Sequence, residues 1–221
     1  YIKDIWNMYG DELALTEESY AFENGDGSVT DMQLMKGKYI AVRPYEGENF
    51  TSCYTRTNAG FEIMFILPDE GYSVSEVMTA ENIAAAKSAD YYGIDEENKI
   101  RYNTRCIFPT FDAEGNIEAK DILKDMGIVE LFDSANGANL SNILGGDAEA
   151  CCRSAKHIAK LEVTRRGIEG AAVTVIDVGP TSADRGEYTE VDIDFVADRA
   201  FGFVLLNSYG TTLFAGAVNA V

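Results

Sequence analysis

The chain has 221 residues, 46% of them hydrophobic and 25% charged, the balance of an ordinary globular protein. With 37 acidic against 18 basic residues the net charge is −19, and the one basic cluster is Arg165-Arg166. That distribution excludes a nucleic-acid-binding surface, which needs grouped Lys and Arg to neutralise phosphates, and it reads as a solvated acidic exterior. No run approaches the roughly eighteen apolar residues of a membrane-spanning helix.

Taken in chain order, Tyr1-Ile2-Lys3-Asp4-Ile5-Trp6 reads as the inside of a strand. Glu23-Asn24-Gly25-Asp26-Gly27-Ser28 resembles a calcium loop at first sight. Placing Asn24, Asp26 and Gly27 at the loop's third, fifth and sixth positions puts Phe22 and Gln33 where the end carboxylates belong, so a hairpin turn explains the segment better. Residues 61–67 form a nearly continuous apolar run stopped by Pro68-Asp69-Glu70-Gly71, the pattern of a strand buried on both faces. Helical spacing runs from 75 to 88 through Val77, Ile83, Ala84 and Ala86. A second helix fits 119–127, with Ile122, Leu123 and Met126 on one face and Gly127 as its C-cap. Residues 155–163 read as a strand, and 201–206 with 212–218 as a closing antiparallel pair around Gly210. Between 167 and 195 an apolar stretch breaks at Gly179-Pro180 into a polar one, which predicts a long exposed loop.

Chemistry-bearing residues are few. Cys53, Cys106, Cys151 and Cys152 form no Cys-x-x-Cys pair, and adjacent Cys151-Cys152 could bridge only through a strained turn, so free thiols are expected. His157 is the only histidine; it lies mid-strand, no Gly-x-Ser-x-Gly elbow accompanies it, and no second ligand sits three or four residues away. It is expected to be a hydrogen-bonded core residue, and the chain is read as no enzyme, with no metal and no cofactor.

Tyr1 to Trp6, Leu34-Met35-Lys36, Phe65 to Gly71, Phe108-Pro109-x-Phe111 and Gly167-x-Glu169-x-Ala171-Ala172 are separated motifs that together, and in this order, resemble those of the serpin family of protease-trapping proteins. Tyr1 to Trp6 is similar to its Tyr-Phe-Lys-Gly-x-Trp strand end, and Leu34-Met35-Lys36 to the end of its Val-x-Val-Pro-Met-Met-Lys strand. Phe65-Ile66-Leu67-Pro68-Asp69-Glu70-Gly71 matches its Phe-Leu-Pro-Asp-Glu-Gly almost residue for residue. Phe108-Pro109-x-Phe111, Asp121 to Ile128, Leu131-Phe132, and Ala155-Lys156-His157 with Glu162-Val163 follow the family's later motifs. Gly167-x-Glu169-x-Ala171-Ala172 resembles its hinge, and Phe195 to Phe201 and Leu213 to Asn219 resemble its closing signatures.

The resemblance implies an α+β serpin-like fold: mostly antiparallel sheets, a few helices, a long exposed reactive loop, and the N-terminal half of the fold absent. Residues 1–221 are expected to be one domain, with hinge and reactive loop at about 165–194 and the closing strand pair at about 201–219. It implies a serine-type protease inhibitor whose bait loop is cleaved, inserts into the main sheet and traps the protease covalently. The alternative is a non-inhibitory serpin-fold protein with a binding, carrier or storage role. The expected partners are a target serine protease, elastase- or subtilisin-like, and the missing N-terminal half; nucleic acid and a membrane span are not expected. A secreted or extracytoplasmic location follows from the resemblance alone.

Insertion requires alternate side chains to enter the core. Ile168, Gly170, Ala172, Thr174, Ile176 and Val178 would face inward, none of them charged, whereas Glu169 and Asp177 would face solvent. A one-residue slip would bury both carboxylates. The hinge is therefore read as Gly167, Ile168, Glu169, Gly170, Ala171 and Ala172, with Pro180 stopping insertion near Gly179. The family's usual register puts the reactive bond at Thr181-Ser182, and Arg185-Gly186 is the alternative. The resemblance implies that Trp6, His157, Thr110 and Arg165 fall in the region where the sheet opens. Arg165 stands where the family has Glu and Thr110 where it has the partner Lys, so that ion pair is expected to be lost as a unit.

Overall fold

The computed structural model describes residues 2–6, 12–133, 138–139, 149–169 and 188–221. They form two compact units, one of Tyr1–Ala113 with Leu161–Val221 and one of Glu114–Lys160. Along the chain come β1 (Lys3–Ile5), β2 (Tyr20–Glu23), β3 (Val29–Met32), β4 (Met35–Lys36), β5 (Tyr45–Glu46), β6 (Phe50–Arg56) and β7 (Glu62–Pro68). Helices α1 (Val74–Val77) and α2 (Ala80–Ser88) follow, then β8 (Ile94–Asp95), β9 (Ile100–Phe108), β10 (Phe111–Glu118) and α3 (Lys120–Asp125). The chain closes with β11 (Ala138–Asn139), β12 (Glu149–Ala150), β13 (Lys156–Val163), β14 (Gly167–Glu169), β15 (Thr189–Val196), β16 (Phe201–Leu206) and β17 (Thr212–Val218).

The apolar run of β7 is buried on both faces because β7 is central in a five-stranded antiparallel sheet, order β17-β16-β7-β6-β5. One face of that sheet meets Phe22, Phe108, Phe111 and Phe195, and Phe65 sits amid Phe108, Phe195 and Phe201 at centroid distances of 4.9, 6.2 and 5.6 Å. The other face takes Val77 of α1 and Ala86 of α2. Two further sheets, with orders β1-β14-β13-β10 and β15-β9-β4, carry the two ends of the segment 170–187. The calcium-like segment is the β2–β3 hairpin turn: Asp26 accepts from the Ser28 amide and hydroxyl, and Gly27 takes φ 82°.

The helix expected over 75–88 is two helices. α1 ends at Met78, and the Thr79 hydroxyl accepts from the Asn82 amide at 3.1 Å to start α2. A side-chain cap inside an otherwise helical pattern lets a new helix begin in a different direction. In the second unit α3 ends as expected at Gly127, φ 94°, with Gly127 and Ile128 amides donating to the Lys124 and Leu123 carbonyls. Its apolar face, however, is open: Ile122 is 50% and Met126 72% exposed.

Candidate functional site

The site is built around the turn between β13 and β14. The Thr164 amide donates to the Gly167 carbonyl at 2.9 Å, and the Gly167 amide returns to Thr164 at 3.3 Å. This tight reversal lays β14 alongside β13, with Val163 opposite Ile168 and Glu162 opposite Glu169. The other edge of β14 is taken by β1, also antiparallel, with Ile5, Asp4 and Lys3 opposite Gly167, Ile168 and Glu169. Gly167, Ile168 and Glu169 thus form rungs of a strand paired with β1, the last two paired with β13 as well.

Side chains enforce that seating. Gly167 is buried, and a methyl group there would overlap the Asp4 carbonyl oxygen, so β1 can approach only because the side chain is absent. Ile168 is 1% exposed and joins Trp6, Leu161 and Val163 in the core. Glu169 points the other way and pairs with Lys3 at 3.1 Å. Neutral side chain in, carboxylate out: the alternation is that of a strand with one buried face. β1 is itself fixed, since the Asp4 carboxylate accepts from the Ile5 and Ala59 amides at 2.9 and 2.8 Å, and Asn58 donates to the Ile5 carbonyl at 2.7 Å.

Trp6 and Arg165 brace the turn. The buried Trp6 indole donates to the Thr164 carbonyl at 2.7 Å, its amide donates to Arg166 at 3.1 Å, and its ring meets Phe108 edge-on at 5.8 Å. Arg165 donates to the Leu13 carbonyl at 3.0 Å and pairs with Glu12 at 2.9 Å; Arg166 reaches the same carboxylate at 3.3 Å. The missing family ion pair therefore leaves no orphan: Arg165 turns to Glu12, and Thr110 is exposed between β9 and β10.

Beyond 187 the chain is anchored again. The Thr189 amide donates to Lys99 at 2.8 Å and β15 runs parallel to β9, with Glu190, Asp192 and Asp194 opposite Arg101, Asn103 and Arg105. Their solvent-facing side chains form a ladder. Arg101 meets Glu190 at 3.3 Å, Asn103 donates to Glu190 at 2.6 Å, and Arg105 holds both Asp194 oxygens at 3.0 and 2.7 Å. Tyr188 and Tyr39 lie against the guanidinium groups of Arg101 and Arg105 at 5.3 and 4.6 Å. The Arg105 hydrogen bonds keep the Asp194 carboxyl below the usual carboxylate range.

Of the residues singled out in the sequence, Trp6, Arg165, Gly167, Ile168 and Glu169 come together at this turn. Gly170, Ala171, Ala172, Thr181, Ser182, Arg185 and Gly186 lie outside the described residues. His157 is corrected: it is on β13, but exposed. That it belongs to a strand was legible, but it is the second residue of β13 and not mid-strand, and the first three residues of β13 are exposed. Sequence reading missed Thr164 and Glu12, whose roles depend on folding. It also missed the ladder, although Arg101-x-Asn103-x-Arg105 and Glu190-x-Asp192-x-Asp194 display complementary charge at strand period.

Comparison with known proteins agrees with the geometry. A family model described as Serpin (serine protease inhibitor) matches residues 2–221. The chain is similar to Iripin-5 of Ixodes ricinus, 28% identical over 99% of this chain and 52% of that protein. It is also similar to Serpin-Z10 of Arabidopsis thaliana, 29% identical over 85% of this chain and 50% of that protein. The crystal structure of Serpin48 from the insect Tenebrio molitor superposes with a TM-score of 0.68 at 18% identity, over 99% of this chain and 54% of that one. The chain spans about half the length of the curated relatives it matches.

Proposed function

This chain belongs to the serpin family, and from that premise we propose that it is the loop-bearing half of an inhibitor of serine-type proteases that traps its target covalently. The observation that carries the reading is β14: Gly167–Glu169, which we read as the start of a hinge, lie between β1 and β13, antiparallel to both, with Ile168 in the core and Glu169 paired with Lys3 at the surface. A strand lengthened in this register would continue alongside β13, with Ile2 next in line on the β1 side, and Gly170, Ala172 and Thr174 would follow Ile168 inward without burying a charge.

The protease serine oxygen attacks the carbonyl of Thr181 in the preferred register, the Thr181–Ser182 amide breaks, and an ester to Thr181 forms while Ser182 becomes a new N-terminus. Arg185–Gly186 is the second candidate bond. Release of the cut end lets the strand lengthen from β14, and the acylated protease is carried with it before water can hydrolyse the ester. Thr before the bond favours an elastase- or subtilisin-like target. An extracytoplasmic setting is part of the proposal.

The test incubates the whole gene product with elastase, subtilisin and trypsin in turn, read on a denaturing gel with intact mass. A band at the summed mass that survives denaturant, with a new N-terminus at Ser182 or Gly186, is the expected result. Clean cleavage with no adduct and full residual protease activity overturns it in favour of a non-inhibitory carrier or storage role.

A further inference from the structure

Tyr188, the residue before β15, lies in a cradle made by the turn between β8 and β9. Its ring lies against the Lys99 ammonium at 5.4 Å and the Arg101 guanidinium at 5.3 Å. Its hydroxyl donates to the Glu96 carboxylate, 2.8 Å from both oxygens. The next amide, that of Thr189, donates to the Lys99 carbonyl at 2.8 Å, so side chain and backbone are held by the same turn. Two cations on the ring and a charged acceptor on the hydroxyl satisfy both ends of a phenol.

Contacts within the turn keep the cradle in shape. The Asp95 carboxylate accepts from the backbone and side-chain amides of Asn98, both at 2.9 Å. Lys99 pairs with Glu96 at 3.0 Å and takes φ 53°, a conformation that residues with a side chain seldom adopt. β8 is itself paired to β9, Ile94 opposite Arg101 and Asp95 opposite Ile100.

We propose that Tyr188 is a positioning residue of the bait loop: clamped in this cradle, it withholds the Arg185–Gly186 bond from proteases and leaves Thr181–Ser182 as the bond presented. This deepens the bait-loop function proposed above and rests on it. The argument is one of reach. Arg185 is three residues from Tyr188, so it can stand at most about 10 Å from that fixed point, whereas Thr181, seven residues away, can stand about 24 Å from it. A protease closes its cleft over several extended residues on each side of the bond it cuts. At Arg185–Gly186 the residues it needs beyond the bond include Tyr188 itself, which is already engaged. At Thr181–Ser182 they are free.

The whole gene product and its Tyr188→Ala, Tyr188→Phe and Glu96→Ala variants are digested with limiting trypsin and, separately, subtilisin. Cleavage at each bond, adducts included, is timed by intact mass. A synthetic peptide of residues 178–194, with and without each Tyr188 change, corrects for any direct preference of trypsin for that side chain. In the folded parent Arg185–Gly186 is cut only when the clamp opens, so its rate tracks the open fraction. Tyr188→Ala should raise that rate about tenfold beyond the change seen in the peptide, the worth of one hydrogen bond to a charged group. Glu96→Ala, which leaves the loop's own sequence intact, should raise it severalfold, and Tyr188→Phe, which keeps the ring between the cations, should fall below Tyr188→Ala. The rate at Thr181–Ser182 should not follow. A parent cut at Arg185–Gly186 as fast as the peptide overturns the clamp, as does a Glu96→Ala rate equal to the parent's or a parallel rise at both bonds. Cleavage is counted with or without an adduct, so a non-inhibitory protein would lose the adduct band and keep the difference between the bonds. Loss of that difference with adducts intact strikes the clamp alone.

Discussion

The indole nitrogen of Trp6 donates to the carbonyl oxygen of Thr164 at 2.7 Å, and so ties the end of β1 to the turn from which β14 starts. Aromatic packing alone does not account for that bond. Trp6→Phe keeps most of the ring's burial and removes the donor, leaving the Thr164 carbonyl with only the longer bond from the Gly167 amide. The expected loss is about 1–3 kcal/mol, measured as a lower urea midpoint with an unchanged slope. A loss no larger than that of a surface substitution would show the bond to be incidental.

Gly167→Ala tests the close approach of β1 and β14. The added methyl overlaps the Asp4 carbonyl oxygen, which belongs to backbone and cannot swing aside. Overpacking of this kind costs about 1–3 kcal/mol, and the strain should be relieved by unseating β14. Amide exchange at Ile168 and Glu169 should accelerate sharply while exchange in β7 and β16 does not.

Ile168→Arg puts a charge where the hinge enters the core. Burying it without a partner costs several kcal/mol, so insertion should slow relative to hydrolysis of the acyl ester. On the proposed mechanism the variant becomes a substrate: the adduct band fades and cleaved protein accumulates, although the residues around both candidate bonds are unchanged. Lys3→Ala, which removes the exposed pair with Glu169, should alter stability by less than about 1 kcal/mol.

The β9–β15 ladder predicts a pH dependence. Asp194 is held below its ordinary range by Arg105, so its contribution is fully present above the unfolded carboxylate range and is lost as pH falls through the lower folded value. Melting temperature should therefore be level from neutrality to about pH 5 and decline below about pH 4. Asp194→Asn should flatten part of that decline. The pair is partly exposed, so added salt should reduce its effect. An Asp194→Asn profile parallel to that of the parent would assign the decline to other carboxylates.

Much of this arrangement was legible in sequence because it depends on local pattern. The continuous apolar run of β7 can only be a central strand, and the Ile168/Glu169 alternation survives because one wrong step would bury a carboxylate. What escaped depends on partners far along the chain. The break between α1 and α2 depends on Thr79 acting as a cap in preference to a mid-helix residue, and periodicity counts both alike. His157 has the neighbours of a core strand residue, but exposure is decided by whatever covers β13. Arg165 was legible as a departure from its family; that it would turn to Glu12 was not, since 153 residues separate them and the pair exists only after β13 and β14 reverse.

The placement of β16 has a consequence for a nicked molecule. β16 lies between β7 and β17, with all six of its residues buried, and β15 before it is fastened to β9. Every bond in 170–187 lies on the N-terminal side of these strands, so a cut there severs the chain without detaching its C-terminal piece. The cleaved protein should elute from a sizing column as one particle and separate into two polypeptides only in denaturant, the C-terminal one carrying β15, β16 and β17. It is a dovetail joint: the backbone can be opened at the loop while the fold keeps both parts together.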